Sequence, residues 1–207
     1  MKSTRLILTA VLLAALPLSA ADAIRMQTAS ASVTVEGTST LHAWTVSSGT
    51  IDGWVEVPAE LLEPAPGQEW LGHVRPGSRI TIPARSLQSD HAKMTALMLK
   101  ALKATTHPNI EFELTEVVSQ KGVPGGVELQ TRGTLTIAGK SRPIELPVEV
   151  RRDASGKVAI RGAAPVRMSE FGIRPPTAML GTIRTGNDVN VKFEWIVSPS
   201  PAGSVSN

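Results

Sequence analysis

The chain has 207 residues, 21 lysines and arginines against 18 acids, and no cysteine. A net charge of +3 gives no reason to expect nucleic acid, and with three Phe, four Trp and no Tyr scattered along the chain there is no stacking platform for bases or sugars. Without cysteine, disulfides and lipid attachment at a cleavage-site thiol are excluded, and the fold must rest on its own core.

Residues 1–23 read as a secretory signal peptide. Lys2 and Arg5 precede an apolar run over 6–18, and small residues follow, with Ala21-Asp22-Ala23 the cleaner cleavage pattern. The run is shorter than the ~20 residues that a spanning helix needs, and no second one occurs. Removing the leader lowers the net charge by one. The expected location is the periplasm, with secretion as the alternative.

Beyond the leader, alternation predicts strands over 32–37, 41–46 and 51–57. Pro58, Pro64, Pro66, Gly67, Gly72 and Pro76 mark 58–76 as a long loop, and a strand over 79–82 follows it. The one convincing helix comes next, over about 89–104, with Ser89 or Asp90 as N-cap. At ~100° per residue, Met94, Leu97, Met98, Ala101, Leu102 and Thr105 share a face, and Lys93, Lys100 and Lys103 cluster opposite. Pro108 ends this segment. Strands over 110–118, 127–138, 144–150, 158–168 and 189–197 complete the chain, joined by turns at 121–126, 139–142 and 153–156. The stretch 169–186 has no clean period and reads as a long functional or lid-like loop, and 199–207 as a disordered tail.

Eight to ten strands with short turns and one inserted helix predict an all-β barrel or sandwich in a single domain over 24–198. The barrel is favoured, because closing the sheet removes its edges.

No pattern for chemistry emerges. Gly139-Lys140-Ser141 imitates the end of a phosphate-binding loop, but Thr134 stands where the first glycine belongs, and Pro143 follows where a helix should start. His42, His73, His91 and His107 show no metal-ligand spacing, and there is no G-x-S-x-G elbow or catalytic carboxylate pair. No metal, cofactor or enzyme activity is therefore expected. What remains is an apolar interior, either self-filled or able to hold a ligand. Its candidate lining is Trp44, Phe112, Leu135, Ile137, Val191 and Phe193 from strands, Met94, Leu97 and Met98 from the helix, and Phe171 and Met179 from the late loop.

The segment from Gly37 to Trp44, Gly-Thr-Ser-Thr-Leu-His-Ala-Trp, resembles the G-T-S-T-L-H-D-W opening of the YceI-like proteins, with Ala43 where aspartate is common. The likeness continues through the methionine helix, Pro108-Asn109-Ile110-Glu111-Phe112, the Gly133 to Gly139 run, and Phe171-Gly172-Ile173 with Pro175-Pro176-Thr177. It implies an antiparallel eight-stranded lipocalin-like barrel with one inserted amphipathic helix and an elongated apolar cavity. The partner it implies is a long-chain isoprenoid or amphiphilic lipid, such as a quinone or polyprenyl species. A homodimer stays open. The alternative is a stress-related or protein-interaction scaffold acting through the 58–76 and 169–186 loops.

Overall fold

The computed structural model describes residues 23–58 and 77–200. Positions 1–22 of the predicted leader, most of the 58–76 loop and 201–207 of the tail lie outside the described residues.

The alternating segments become ten strands: β1 (Ala23–Ser39), β2 (Ala43–Ser48), β3 (Asp52–Pro58), β4 (Ser78–Pro83), β5 (Asn109–Val123), β6 (Gly126–Ile137), β7 (Lys140–Arg152), β8 (Val158–Arg167), β9 (Thr177–Ala178) and β10 (Ile183–Pro199). Helix α1 (Ala92–Ala101) is inserted between β4 and β5. Every neighbouring pair is antiparallel, and β1 pairs with β10 to close the sheet.

The closure has eight positions, because β2 and β3 share one. Both lie on the same edge of β1 with the same pairing offset, Val33 opposite Ser48 and Gln27 opposite Trp54, so they form one strand interrupted near Gly49. The ring runs β1, β2/β3, β4, β5, β6, β7, β8 and β10, and the two-residue β9 is added beside β10. This is the lipocalin-like eight-stranded barrel, and closure satisfies the strand edges as expected.

One end of the barrel is filled. Met26, Val57, Val127, Val150, Val158 and Val197 are buried there, each brought inward by the two-residue period of its strand. Trp195, 1 % exposed, lies across the top of this plug, and its indole N–H donates to Thr28 Oγ1 at 2.8 Å. Above it, rows of facing residues continue toward the other end: Val33, Phe193 and Gly162, then Val35, Val191 and Ala164.

Several element ends differ from the sequence reading. β1 begins at Ala23, inside the predicted leader, and β2 begins at Ala43, because Ser39 to His42 form a turn in which Ser39 Oγ accepts from the Leu41 and His42 N–H groups at 3.2 Å. The 121–126 turn shrinks to Pro124-Gly125, and the 139–142 turn to Ala138-Gly139. Both residues of the latter have positive φ (51° and 77°), the geometry of a two-residue hairpin that matches strand twist. Lys140 and Ser141 are thus strand residues, where a phosphate-binding loop would need a loop leading into a helix. Helix α1 starts later than predicted and has no side-chain N-cap. Ser89 instead donates its N–H to Thr95 Oγ1 at 3.1 Å. The helix ends at Ala101, with Lys103 in the left-handed region. Of the predicted tail, Pro199 belongs to β10 and Ser200 N–H donates to the Arg25 carbonyl at 3.0 Å.

Candidate functional site

The end of the barrel opposite the plug is hollow. It is framed by the 39–42 turn, the 84–108 insertion, the Ala138-Gly139 turn and the 168–182 segment, and it encloses a cavity of about 440 Å³. Val33, Val35, Val46 and Val189 enter it from β1, β2 and β10, Ile51 from the link between β2 and β3, Ile80 and Ile82 from β4, and Trp195 forms its floor.

Three aromatic rings lie flat on the wall because each meets a glycine across the sheet. A Cβ on Gly37 would fall 2.2 Å from the Trp44 ring, one on Gly133 2.3 Å from Phe112, and one on Gly162 2.7 Å from Phe193. The glycines thus provide seats that keep the rings out of the lumen. Trp44 is held further by its indole N–H, which donates to the Thr38 carbonyl at 2.9 Å.

Helix α1 spans the hollow end and turns Met94, Leu97, Met98 and Ala101 toward the cavity, joined by Leu102 just past its end. Among the described residues its backbone forms no extended seam with any strand, so side chains bridge most of the space between them. The insertion is pinned at its base, where Ala84 N–H donates to the Pro108 carbonyl at 2.8 Å, and Ser47 and Gln88 exchange backbone hydrogen bonds at 2.8 Å. A second core of Ile137, Ala138, Val166, Phe171 and Ile173 buttresses one side of the opening.

Among the described residues, the polar groups on the wall are few: Ser39, His42, His91, Lys93 and Thr185, with no carboxylate among them. His42 donates through Nδ1 to the Ala43 carbonyl at 2.6 Å, which leaves Nε2 as its free ring nitrogen. A site of this composition can desolvate a long apolar body. Its described residues supply no paired acid and base for proton transfer. Among the described residues, no group of three or more His, Asp or Glu is arranged to hold a metal ion, and no helix is long and apolar enough to cross a membrane.

Of the eleven residues proposed from alternation, nine stand on the cavity wall: Trp44, Met94, Leu97, Met98, Phe112, Leu135, Ile137, Val191 and Phe193. Phe171 and Met179 do not. Phe171 sits in a short 3-10 turn, Met168–Phe171, that points its ring into the second core, where it is 2 % exposed. Met179 has φ 49° in a turn that throws its side chain outward, leaving it 72 % exposed. The sequence reading missed Leu41, His42, His91 and Lys93 at the opening. His42, His91 and Lys93 carry no apolar period and Leu41 lies in a turn that alternation reads as a strand, so only the folded 39–42 turn and the insertion bring them there.

Fold and site together define a closed antiparallel barrel with one plugged end and one apolar chamber under an inserted helix. The chain belongs to the YceI-like domain family, whose model matches residues 23–196. Among solved structures it resembles BcnA of Burkholderia cenocepacia (16 % identity, 80 % of this chain and 95 % of that one, TM-score 0.62). It also resembles a polyisoprenoid binding domain from Saccharophagus degradans implicated in plant cell wall breakdown (11 %, 86 % and 100 %, TM-score 0.61). The Campylobacter jejuni YCEI protein is similar too (18 %, 73 % and 82 %, TM-score 0.52). No curated protein matches the chain.

Proposed function

We propose that this is a non-enzymatic binding or carrier protein of the periplasm that holds a long-chain apolar molecule, such as an isoprenoid quinone or another polyprenyl lipid. The observation that carries the reading is the cavity of about 440 Å³, whose wall is almost wholly aliphatic and aromatic. A chamber of that kind has no evident use for the fold's own stability, since a buried void forfeits packing. Membership of the YceI-like family and the fold shared with a polyisoprenoid binding domain support the same ligand class. The leader-like pattern of residues 1–23 supports export.

Desolvation supplies the binding free energy. About fifteen methylenes at ~0.8 kcal/mol each give roughly 12 kcal/mol gross, and a loss of ~4 kcal/mol or more in rigid-body freedom still leaves useful affinity. The nine wall residues above make the apolar contacts in this reading, with the few polar groups at the opening facing the ligand's polar end. Native mass spectrometry on detergent-free protein from its own periplasm, followed by solvent extraction, tests it. A stoichiometric polyprenyl or long-chain species is the expected result. An apo mass, together with failure to take up added quinones and polyprenols, would refute the proposal.

A further inference from the structure

Five large apolar side chains stand exposed among the described residues, and four of them gather at the hollow end. Leu41, Leu97, Met179 and Leu180 are 67, 38, 72 and 109 % exposed, and Val118 on β5 is the fifth. Leu41 and Leu97 belong to the cavity wall, as do Ala178 and Ile183 on either side of the Met179-Leu180 pair. Thr40 ties the two loops together: its N–H donates to the Arg184 carbonyl at 3.0 Å and its hydroxyl to the Thr182 carbonyl at 3.2 Å. The four side chains therefore share the rim of one opening.

The rim is also where positive charge collects. The segments that frame it, 39–42, 84–108, 138–139 and 168–182, together with Ile183 and Arg184 at the start of β10, carry Arg85, Lys93, Lys100, Lys103, Arg174 and Arg184 against Asp90 and Glu170. Their net charge of +4 exceeds the +3 of the whole chain, so everything else is slightly negative. Among the described residues, none of these six cations takes part in an ion pair, whereas Glu170 faces Arg167 at 3.8 Å. On α1, Leu97 lies one turn from both Lys93 and Lys100, the pattern in which an apolar residue enters an interface while long basic side chains reach back to the headgroups.

Backbone geometry adds to this. Met179 and Leu180 both sit in the left-handed region, at φ 49° and 54°, an unfavourable conformation for such residues that turns two apolar side chains into solvent. Nothing in the barrel core gains from that arrangement.

We infer that the hollow end docks on the surface of an anionic lipid bilayer, with Leu41, Leu97, Met179 and Leu180 entering the headgroup layer and the rim cations resting on lipid phosphates. A protein surface with an apolar groove would match the leucines and the methionine. The net +4 that surrounds them selects a partner that is apolar within and anionic at its face. Docked in this way, the cavity would open directly onto the bilayer. The docking does not depend on the identity of the bound molecule.

The test is co-sedimentation of the purified protein with vesicles of phosphatidylethanolamine and phosphatidylglycerol, and with vesicles of phosphatidylcholine alone. Binding to the anionic vesicles is expected, weakening about tenfold or more on the neutral ones or at raised salt. The M179D/L180D double variant is expected to lose the binding, while V118D keeps it. Aspartate tolerates left-handed φ, so the double variant folds, as an unchanged melting temperature will report. Absence of wild-type binding, binding indifferent to lipid charge, or equal binding by M179D/L180D would overturn the inference. A wild-type dimer that M179D/L180D dissociates, with no vesicle binding, would overturn it as well and assign the patch to self-association. Native mass spectrometry of the same double variant separates the two proposals, since a retained cavity ligand with lost vesicle binding is the expected pair of results.

Discussion

At the scale of single residues, the width of the chamber is set by glycines opposite aromatics. Gly37 is the cleanest case, because the three nearest atoms to an added Cβ, at 2.2, 2.6 and 2.8 Å, all belong to the Trp44 ring. G37A is expected to tip the indole off the wall, lose its hydrogen bond to Thr38 and cost about 1–3 kcal/mol by overpacking. A double-mutant cycle with W44L checks this: the two substitutions should be strongly non-additive, the second relieving most of the penalty of the first. Independent, additive losses would show that the ring does not need the seat. The rings themselves were legible, since Phe112 and Phe193 fall on the apolar phase of their strands. The seats were not, because a strand glycine becomes informative only once its neighbour across the sheet is known, and that pairing joins residues as far apart in sequence as Gly162 and Phe193.

At the scale of elements, helix α1 shows what a periodic pattern conveys and where it stops. Its inward face was legible from spacing, but its start was not. Ser89 serves the helix through Thr95 rather than as N-cap, with Ser89 N–H donating to Thr95 Oγ1 at 3.1 Å and the two hydroxyl oxygens 3.2 Å apart. Thr95 is 8 % exposed, the one buried residue of the helix. T95V keeps the shape and removes the acceptor, so it is expected to cost about 1–2 kcal/mol and to speed amide exchange in α1 while the strands stay protected. Uniform acceleration over the barrel would contradict a local role.

The turn between β7 and β8 gives a pH-dependent counterpart. Asp153 accepts from Ser155 Oγ at 2.6 Å and from the N–H groups of Ser155 at 2.8 Å and Lys157 at 3.0 Å. These bonds, the Ser155 hydroxyl foremost, hold its carboxyl below the usual carboxylate range. A depressed folded-state value means that the unfolded chain binds the proton more readily. The contribution is therefore complete above the ordinary aspartate range and lost as pH falls through the lowered value. D153A should lower the melting temperature at neutral pH, and the gap to wild type should narrow on acidification. A gap that widens toward low pH would reverse the sign.

At the scale of the whole molecule, the barrel divides its labour along its axis, and this division was the least legible feature. Alternation marks a residue as inward without saying whether it meets other side chains or empty space. Val197 and Val191 occupy the same phase of β10, yet one is fully buried in the plug and the other faces the chamber. The difference follows from position along a closed barrel, which depends on the registers of eight strands and on the placement of α1. It also yields a prediction that neither residue pattern nor helix alone would make: stability and ligand capacity should separate by end. Met26, fully buried in the plug and absent from the chamber wall, should cost about 2–5 kcal/mol on truncation to alanine. Met98 reaches into the chamber from a helix that forms no extended seam with any described strand, so M98A should cost little stability while enlarging the chamber and shifting its preference toward bulkier chains. Thermal denaturation beside uptake of polyprenols of graded length measures both axes. Equal destabilisation by M26A and M98A would mean that the helix is part of the core after all, and the picture of a plugged barrel beneath an adaptable roof would have to be abandoned.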